Sequence, residues 1–218
     1  MIEAPLPPPL GAETAAGRAA WLVPAAIAVG VLVLIVGALV AVGVVAARSS
    51  AARPGVRYGT VPGADPGTGD TPAGGHGRQV DSVACGPVEQ KVSHVHAHLF
   101  ILNDGVAQPV AAFIGIPGAP ARADCYYWLH THDRSGIIHV EAPDHGVHSL
   151  GELFDIWGMP LGPEAVARVP VREHRVAYFV DGVRYTGDPA GITLTRHTQV
   201  VIEVGKEVPP PSFNFNGY

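Results

Sequence analysis

A mainly β fold is expected from this sequence: a β-rich α+β domain of antiparallel hairpins forming a small sandwich or barrel, with one or two short helices, preceded by a single transmembrane helix. Three observations carry that expectation. From about residue 81 onward, short runs of β-branched and aromatic residues alternate with polar ones. Two of these runs are broken at Asp-Gly pairs, the strongest short-range signal for a hairpin. Near the N-terminus one long stretch is apolar without interruption.

Residues 1–20 are rich in Pro and Ala and lack apolar periodicity, which reads as a disordered tail. Residues 21–47, WLVPAAIAVGVLVLIVGALVAVGVVAA, carry no charge. As a helix they would cover roughly 40 Å, enough to cross a bilayer with tilt. A cleaved signal peptide has an apolar region of only about 7–15 residues, so a retained single-pass anchor is expected. Arg18 precedes this run and Arg48, Arg53 and Arg57 follow it, a count that would place the C-terminal part in the cytoplasm. Long domains translocate largely regardless of such charges, and two cysteines fit an exported domain, so an extracytoplasmic C-terminal part is expected.

Residues 48–80 are dense in Gly, Pro, Ser and Thr and read as a flexible tether. Residues 81–207 form the β-rich domain, and residues 208–218 (VPPPSFNFNGY) an extended tail. The domain holds nine basic and fifteen acidic residues, which argues against a nucleic-acid partner. Cys85 and Cys125 each lie shortly before a histidine-bearing run. A disulfide between them would tie the two runs together and stabilise the fold by about 4 kcal/mol on loop-entropy grounds.

Within the domain, HVHAHLFIL, Asn103-Asp104-Gly105 and VAQPVAAFIGI read as one hairpin, and RVAYFVDGVRYTGD turns at Asp181-Gly182 as a second. QVVIEV reads as a further strand. Ser149 and Glu152 form a capping box before the apolar stripe Leu150, Leu153, Phe154 and Trp157, and Gly158 with Pro160 ends that helix. A second short helix is expected from Pro163 through EAVAR.

The histidines are the chemical signal. His94, His96 and His98 occupy every second position of one run, and His130, His132 and His139 fall within CYYWLHTHDRSGIIHVE. If residues 133–136 form a turn between antiparallel strands, His130 faces His139, Leu129 faces Val140, Thr131 faces Ile138 and His132 faces Ile137. In that register Leu129 and Val140 share an apolar face, while Trp128, His130, His132, His139 and Glu141 share the other. In the first run Val95, Ala97, Leu99 and Ile101 oppose the imidazoles in the same way.

Imidazoles at i and i+2 on a rigid strand, joined by a third from a neighbouring strand, make a three-nitrogen site that leaves a coordination position free. The six clustered histidines are the metal-ligand candidates. Asp133 and Glu141 are candidate ligands or orienting carboxylates, and His145 and His148 are placed to lean over the same face. His76, His174 and His197 stand alone and read as ordinary hydrogen-bonded side chains. A metal-free proton-sensing cluster is the competing reading of the six. With two methionines and a paired set of cysteines, Cu(I) is disfavoured, and Zn or Cu(II) ranks first.

The run YWLHTHDRSGIIHVE with LGELFDIWG resembles a group of bacterial exported or membrane-anchored histidine-rich proteins of uncharacterised chemistry. They share a WLHTHD-like motif and an upstream H-x-H-x-H-like run. The resemblance covers roughly residues 90–205 and implies a self-contained domain, with no activity to carry over. The reading that follows is a membrane-tethered extracytoplasmic protein that captures, delivers or buffers a transition metal. A zinc-type enzyme with three histidine ligands and Glu141 or Asp133 as base is the alternative, weakened by the lack of H-E-x-x-H or G-x-S-x-G. A further alternative is an accessory subunit of a membrane assembly, with Trp128 and Tyr126 meeting a protein partner.

Overall fold

Two Asp-Gly pairs shape the main sheet. At each, aspartate and glycine both take positive φ (Asp104 50°, Gly105 81°; Asp181 51°, Gly182 79°), giving two-residue turns that match strand twist. The computed structural model describes residues 67–218 except His174. The expected tail at 1–20, the transmembrane helix at 21–47 and most of the tether lie outside the described residues. Among the described residues, no helix is long and apolar enough to cross a membrane.

The strands are β1 (Cys85–Gly86), β2 (Ser93–Asn103), β3 (Val106–Gln108), β4 (Tyr126–Tyr127), β5 (Leu129–His130) and β6 (Ile137–Ala142). After helix α1 (Leu150–Trp157) come β7 (Ala165–Val166), β8 (Val169–Pro170), β9 (Val176–Val180), β10 (Val183–Tyr185) and β11 (Gln199–Val204). The main sheet runs β10-β9-β11-β2-β6-β5, with β3 also paired to β2. This order does not return on itself, so the barrel form is excluded. Among the described residues the fold is mainly β with one α-helix, and the main sheet is mixed.

Hairpin chemistry fixed the antiparallel neighbours, including Asn103 opposite Val106 and Val180 opposite Val183. It said nothing of β11, which no short turn joins to β2. β11 lies parallel to β2, with Gln199 beside His98 and Val204 beside Asn103. All six of its residues are buried, Gln199 and Glu203 included, because the strand lies between β9 and β2.

One face of the sheet carries Ala97, Leu99, Ile101, Leu129, Ile138, Val140, Val200 and Ile202, and packs against Leu150, Leu153, Phe154 and Trp157 of α1. Each of these helix side chains stabilises the fold by about 1.5–3 kcal/mol through burial. The helix begins at the expected capping box, with Ser149 accepting from Glu152 N and the Glu152 carboxylate accepting from Ser149 N. It ends at Gly158, whose φ of 69° only glycine adopts readily.

The second expected helix is absent, and EAVAR enters the tight β7–β8 hairpin, with Val166 opposite Val169. Six residues give too few hydrogen bonds to offset helix nucleation, and Val166 and Val169 find burial as strand residues. Composition also places residues 67–80 in the tether, but part of that segment packs on the domain. Thr71 Oγ1 donates to Trp157 O at 2.6 Å, and Trp157 Nε1 donates to Thr68 O at 3.3 Å. The first bond satisfies the last carbonyl of α1 and the second the Trp157 indole N–H, needs that Gly and Pro content does not reveal.

The opposite face is divided. Leu102, Phe179, Ala177 and Val201 form a smaller apolar patch with Phe100, Ala107 and Val208. The tail at 208–218 is docked beside this patch. Gln199 accepts from Phe213 N at 2.8 Å and its side-chain amide donates to Pro211 O, while the Phe213 ring stacks 3.8 Å from His98. The remainder of this face carries the imidazoles.

Candidate metal centre

The register inferred for CYYWLHTHDRSGIIHVE is the observed one where the strands pair: Leu129 lies opposite Val140 and His130 opposite His139. On its other side β6 pairs with β2, setting His96 opposite His139 and His94 opposite Glu141. His96, His139 and His130 therefore form one row across three strands. The ladder stops before the expected Thr131–Ile138 and His132–Ile137 pairs. Thr131 turns to the preceding loop, where its hydroxyl donates to Ala111 O at 2.8 Å and accepts from Ile114 N at 3.0 Å.

Among the described residues, three groups bring their donor atoms within 4.8 Å of one another: His94, His96 and His139; His130, His132 and His139; and Glu89, His130 and Glu141. Five of the six candidate histidines are thus drawn together around His139. Its ring centroid lies 4.5 Å from those of His96 and His132 and 5.2 Å from that of His130.

The hydrogen bonds fix which nitrogens remain free. His130 is fully buried, and its Nδ1 lies 2.9 Å from Tyr127 O, which a carbonyl can only accept. That bond sets the tautomer with the proton on Nδ1 and leaves a lone pair on Nε2. This Nε2 is buried without a hydrogen-bond partner. A metal ligand characteristically donates its second ring N–H to a carbonyl or carboxylate in this way. His139 repeats the pattern, with Nδ1 3.0 Å from Glu141 Oε1.

Burial first, then repulsion of a second charge by the neighbouring His139 and His94 imidazoles, pushes His96 down to about 4. Burial likewise brings His130 down to about 4, and it lowers His132. These imidazoles are neutral at physiological pH, the form a metal requires. Burial opposes ionisation of Glu141, but the His139 hydrogen bond and the electrostatic attraction of the neighbouring His130 and His94 rings outweigh it and hold the carboxyl below its ordinary range. The centre therefore offers neutral nitrogens beside an ionised carboxylate.

Glu89 is an addition that the sequence did not mark. Its Oε1 lies 3.4 Å from His132 Nε2 and 3.8 Å from His130 Nε2. Donors about 2.0–2.1 Å from a tetrahedral ion are roughly 3.4 Å apart, so Glu89 stands at ligand spacing from His132, and with His130 and Glu141 it makes the third group. Glu89 lies in the connection between β1 and β2, where the only sequence signal is a lone acidic residue shortly before the histidine run.

The remaining candidates lie elsewhere. His98 is buried, with Nε2 2.9 Å from Ser135 O and its ring between Phe100 and Phe213, so it belongs to none of the three groups. Asp133 accepts from Ser135 N at 2.8 Å within its own turn, and its bonds to Ser135 hold its carboxyl low. His145 is exposed. His148 is buried, with Nδ1 3.2 Å from Glu152 Oε2 and its ring near Trp128.

The disulfide joins Cys85 to Cys125, as the cysteine count allowed. It sits where β1 pairs with β4, Cys85 opposite Tyr127, and so braces the connection leading into β5 and the loop carrying Glu89. Comparison with family models, curated proteins and solved structures finds no match for this chain.

Proposed function

We propose that this chain is a membrane-tethered, extracytoplasmic transition-metal-binding protein that captures, delivers or buffers Zn(II) or Cu(II). The observation that carries the metal reading is the buried, partnerless Nε2 of His130, set in its tautomer by Tyr127 O and grouped with His132 and His139. A buried nitrogen lone pair among other donors is costly unless something accepts it, and a cation does so. The hard and borderline donor set, imidazole with carboxylate and no thiolate, suits these two ions. The uncharged run at 21–47 supports the tether, the disulfide supports an oxidising compartment, and both agree with the histidine-rich exported group that the WLHTHD run resembles.

The test is elemental analysis and chelator-competed titration of the full chain at pH 7.5. At least one equivalent of Zn(II) or Cu(II) is expected, and less than half an equivalent of any transition metal would remove the reading. A second reading, metal-dependent catalysis, has one observation in its favour. A cleft lined by Phe113, Ile116, Ala119, Pro120, Ala123 and Tyr126 opens on His132, giving room for a small apolar substrate beside the ion. In that reading Glu89 is better placed as base than Asp133, which is held in its turn. Perturbation of the visible spectrum of the Co(II)-loaded protein by benzohydroxamate would favour it.

A further inference from the structure

His139 and the six donor residues grouped around it are more than one ion can use. A tetrahedral ion takes four ligands with neighbouring donors roughly 3.4 Å apart. No group of mutually close donors contains a member of both the His94/His96 pair and the His130/His132 pair. The donors divide on either side of His139.

Nitrogen accounting decides where His139 belongs. With its Nδ1 proton given to Glu141, it has one lone pair and serves one ion. His130 and His132 form one mutually close group with it, and Glu89 Oε1 lies 3.8 and 3.4 Å from their Nε2 atoms, near enough to be drawn in as a further ligand. His94 and His96 remain. Their Nε2 atoms are 3.2 Å apart, and Glu141 Oε1 is 3.1 Å from His94 Nε2. Both separations are close to a tetrahedral edge, and water supplies what protein does not.

We infer that this face holds two transition-metal ions: an inner one on His130, His132, His139 and Glu89, and an outer one on His94, His96 and Glu141. The inference rests on the metal-binding reading above and adds a second position to it. The hydrogen bond from His139 to Glu141 joins a ligand of the inner ion to a ligand of the outer one. Filling the inner site raises the acidity of the His139 N–H, which strengthens that bond and alters the donor strength of Glu141. The two ions therefore bind with coupled affinities.

Equilibrium dialysis of the full chain against Zn(II), paired with Co(II) absorption spectra, tests this. His94→Ala and His132→Ala are the variants, since both side chains are substantially exposed, 48% and 42%, and their loss leaves the core intact. Two equivalents are expected for the parent chain and one for each variant, with different Co(II) spectra because different donors remain. One equivalent in the parent chain, weakened alike by both substitutions, would overturn the two-ion inference and leave the metal-binding function standing. No bound metal in the parent chain would overturn both.

Discussion

His96 and His98 stand two places apart on the same face of β2, yet their surroundings have nothing in common. His96 lies opposite His139, within reach of other imidazoles. His98 lies opposite Ile137, is hydrogen-bonded to Ser135 O and is covered by Phe213. A single alternating run thus crosses from a polar, imidazole-bearing half of the sheet to an apolar half sealed by the tail. Periodicity sets the face on which a side chain stands, and the neighbouring strands and whatever packs over them set what it can do there.

The largest expected effect comes from the disulfide, which lies at the imidazole half. Reduction of Cys85–Cys125 should lower unfolding free energy by about 4 kcal/mol, read as a fall in the urea midpoint. Amide exchange should rise first at Leu129 and His130, next to the released β4, while Val200–Ile202 keep their protection. Uniform acceleration across both halves would contradict the idea that the bond braces one of them.

Acid should separate the halves next. His98 in the folded chain is brought down to about 4 by burial, against 6.5 for the free side chain. Between those values the unfolded chain binds a proton that the folded chain does not. Stability from His98 is thus fully present above 6.5, falls as pH drops towards 4, and is flat below; the loss is about 3 kcal/mol. Glu203, buried at the apolar half with Oε2 accepting from Val208 N, acts in the opposite sense. Burial raises its carboxyl above the ordinary 4.5, so its contribution is present below that value and lost as pH rises. In chelator-treated protein carrying Glu203→Gln, His98→Phe should shrink the acid loss by about 3 kcal/mol. An unchanged acid profile would show that His98 is accessible to protons.

Metal affinity gives the sharpest contrast for its size. His130→Ala should weaken Zn(II) binding at the inner position roughly a hundredfold, about 2.7 kcal/mol, whereas His98→Ala should leave affinity within about threefold. Chelator-competition titration measures both. Equal losses at the two positions would mean that the two halves form one continuous site.

The face assignment was legible because alternation and register are local properties. Leu129 with Val140 and His130 with His139 followed from counting across one turn, and the capping box at Ser149 and Glu152 marked the start of α1 from four residues. Alternation alone makes His98 an equal of its neighbours, because its surroundings depend on Phe213, more than a hundred positions away. Glu89 is illegible for the same reason, since nothing local distinguishes a carboxylate that reaches His130 and His132 from a solvated one. The tail did carry a signal: Pro211, Phe213 and Phe215 alternate with Ser212 and Asn214, the period of an extended chain with one face against a surface.

The smallest expected effect tests that tail directly. Phe213 stacks on His98 at an interplanar angle of 16° and lies 4.9 Å from the Phe215 ring. An aromatic pair of this kind stabilises by about 1 kcal/mol beyond its area. Phe213→Ala should therefore lower stability by roughly that amount plus a modest loss of burial, with Zn(II) affinity unchanged. Removing the ring also admits water to His98, and the burial that depresses its protonation is relieved. Its imidazole should then titrate nearer 6.5 in an NMR pH series, while His130, shielded by strand pairing and its bond to Tyr127 O, should not shift. A parallel rise at both histidines would mean that the tail seals the whole face, and that the division between the two halves is one of ligand spacing alone.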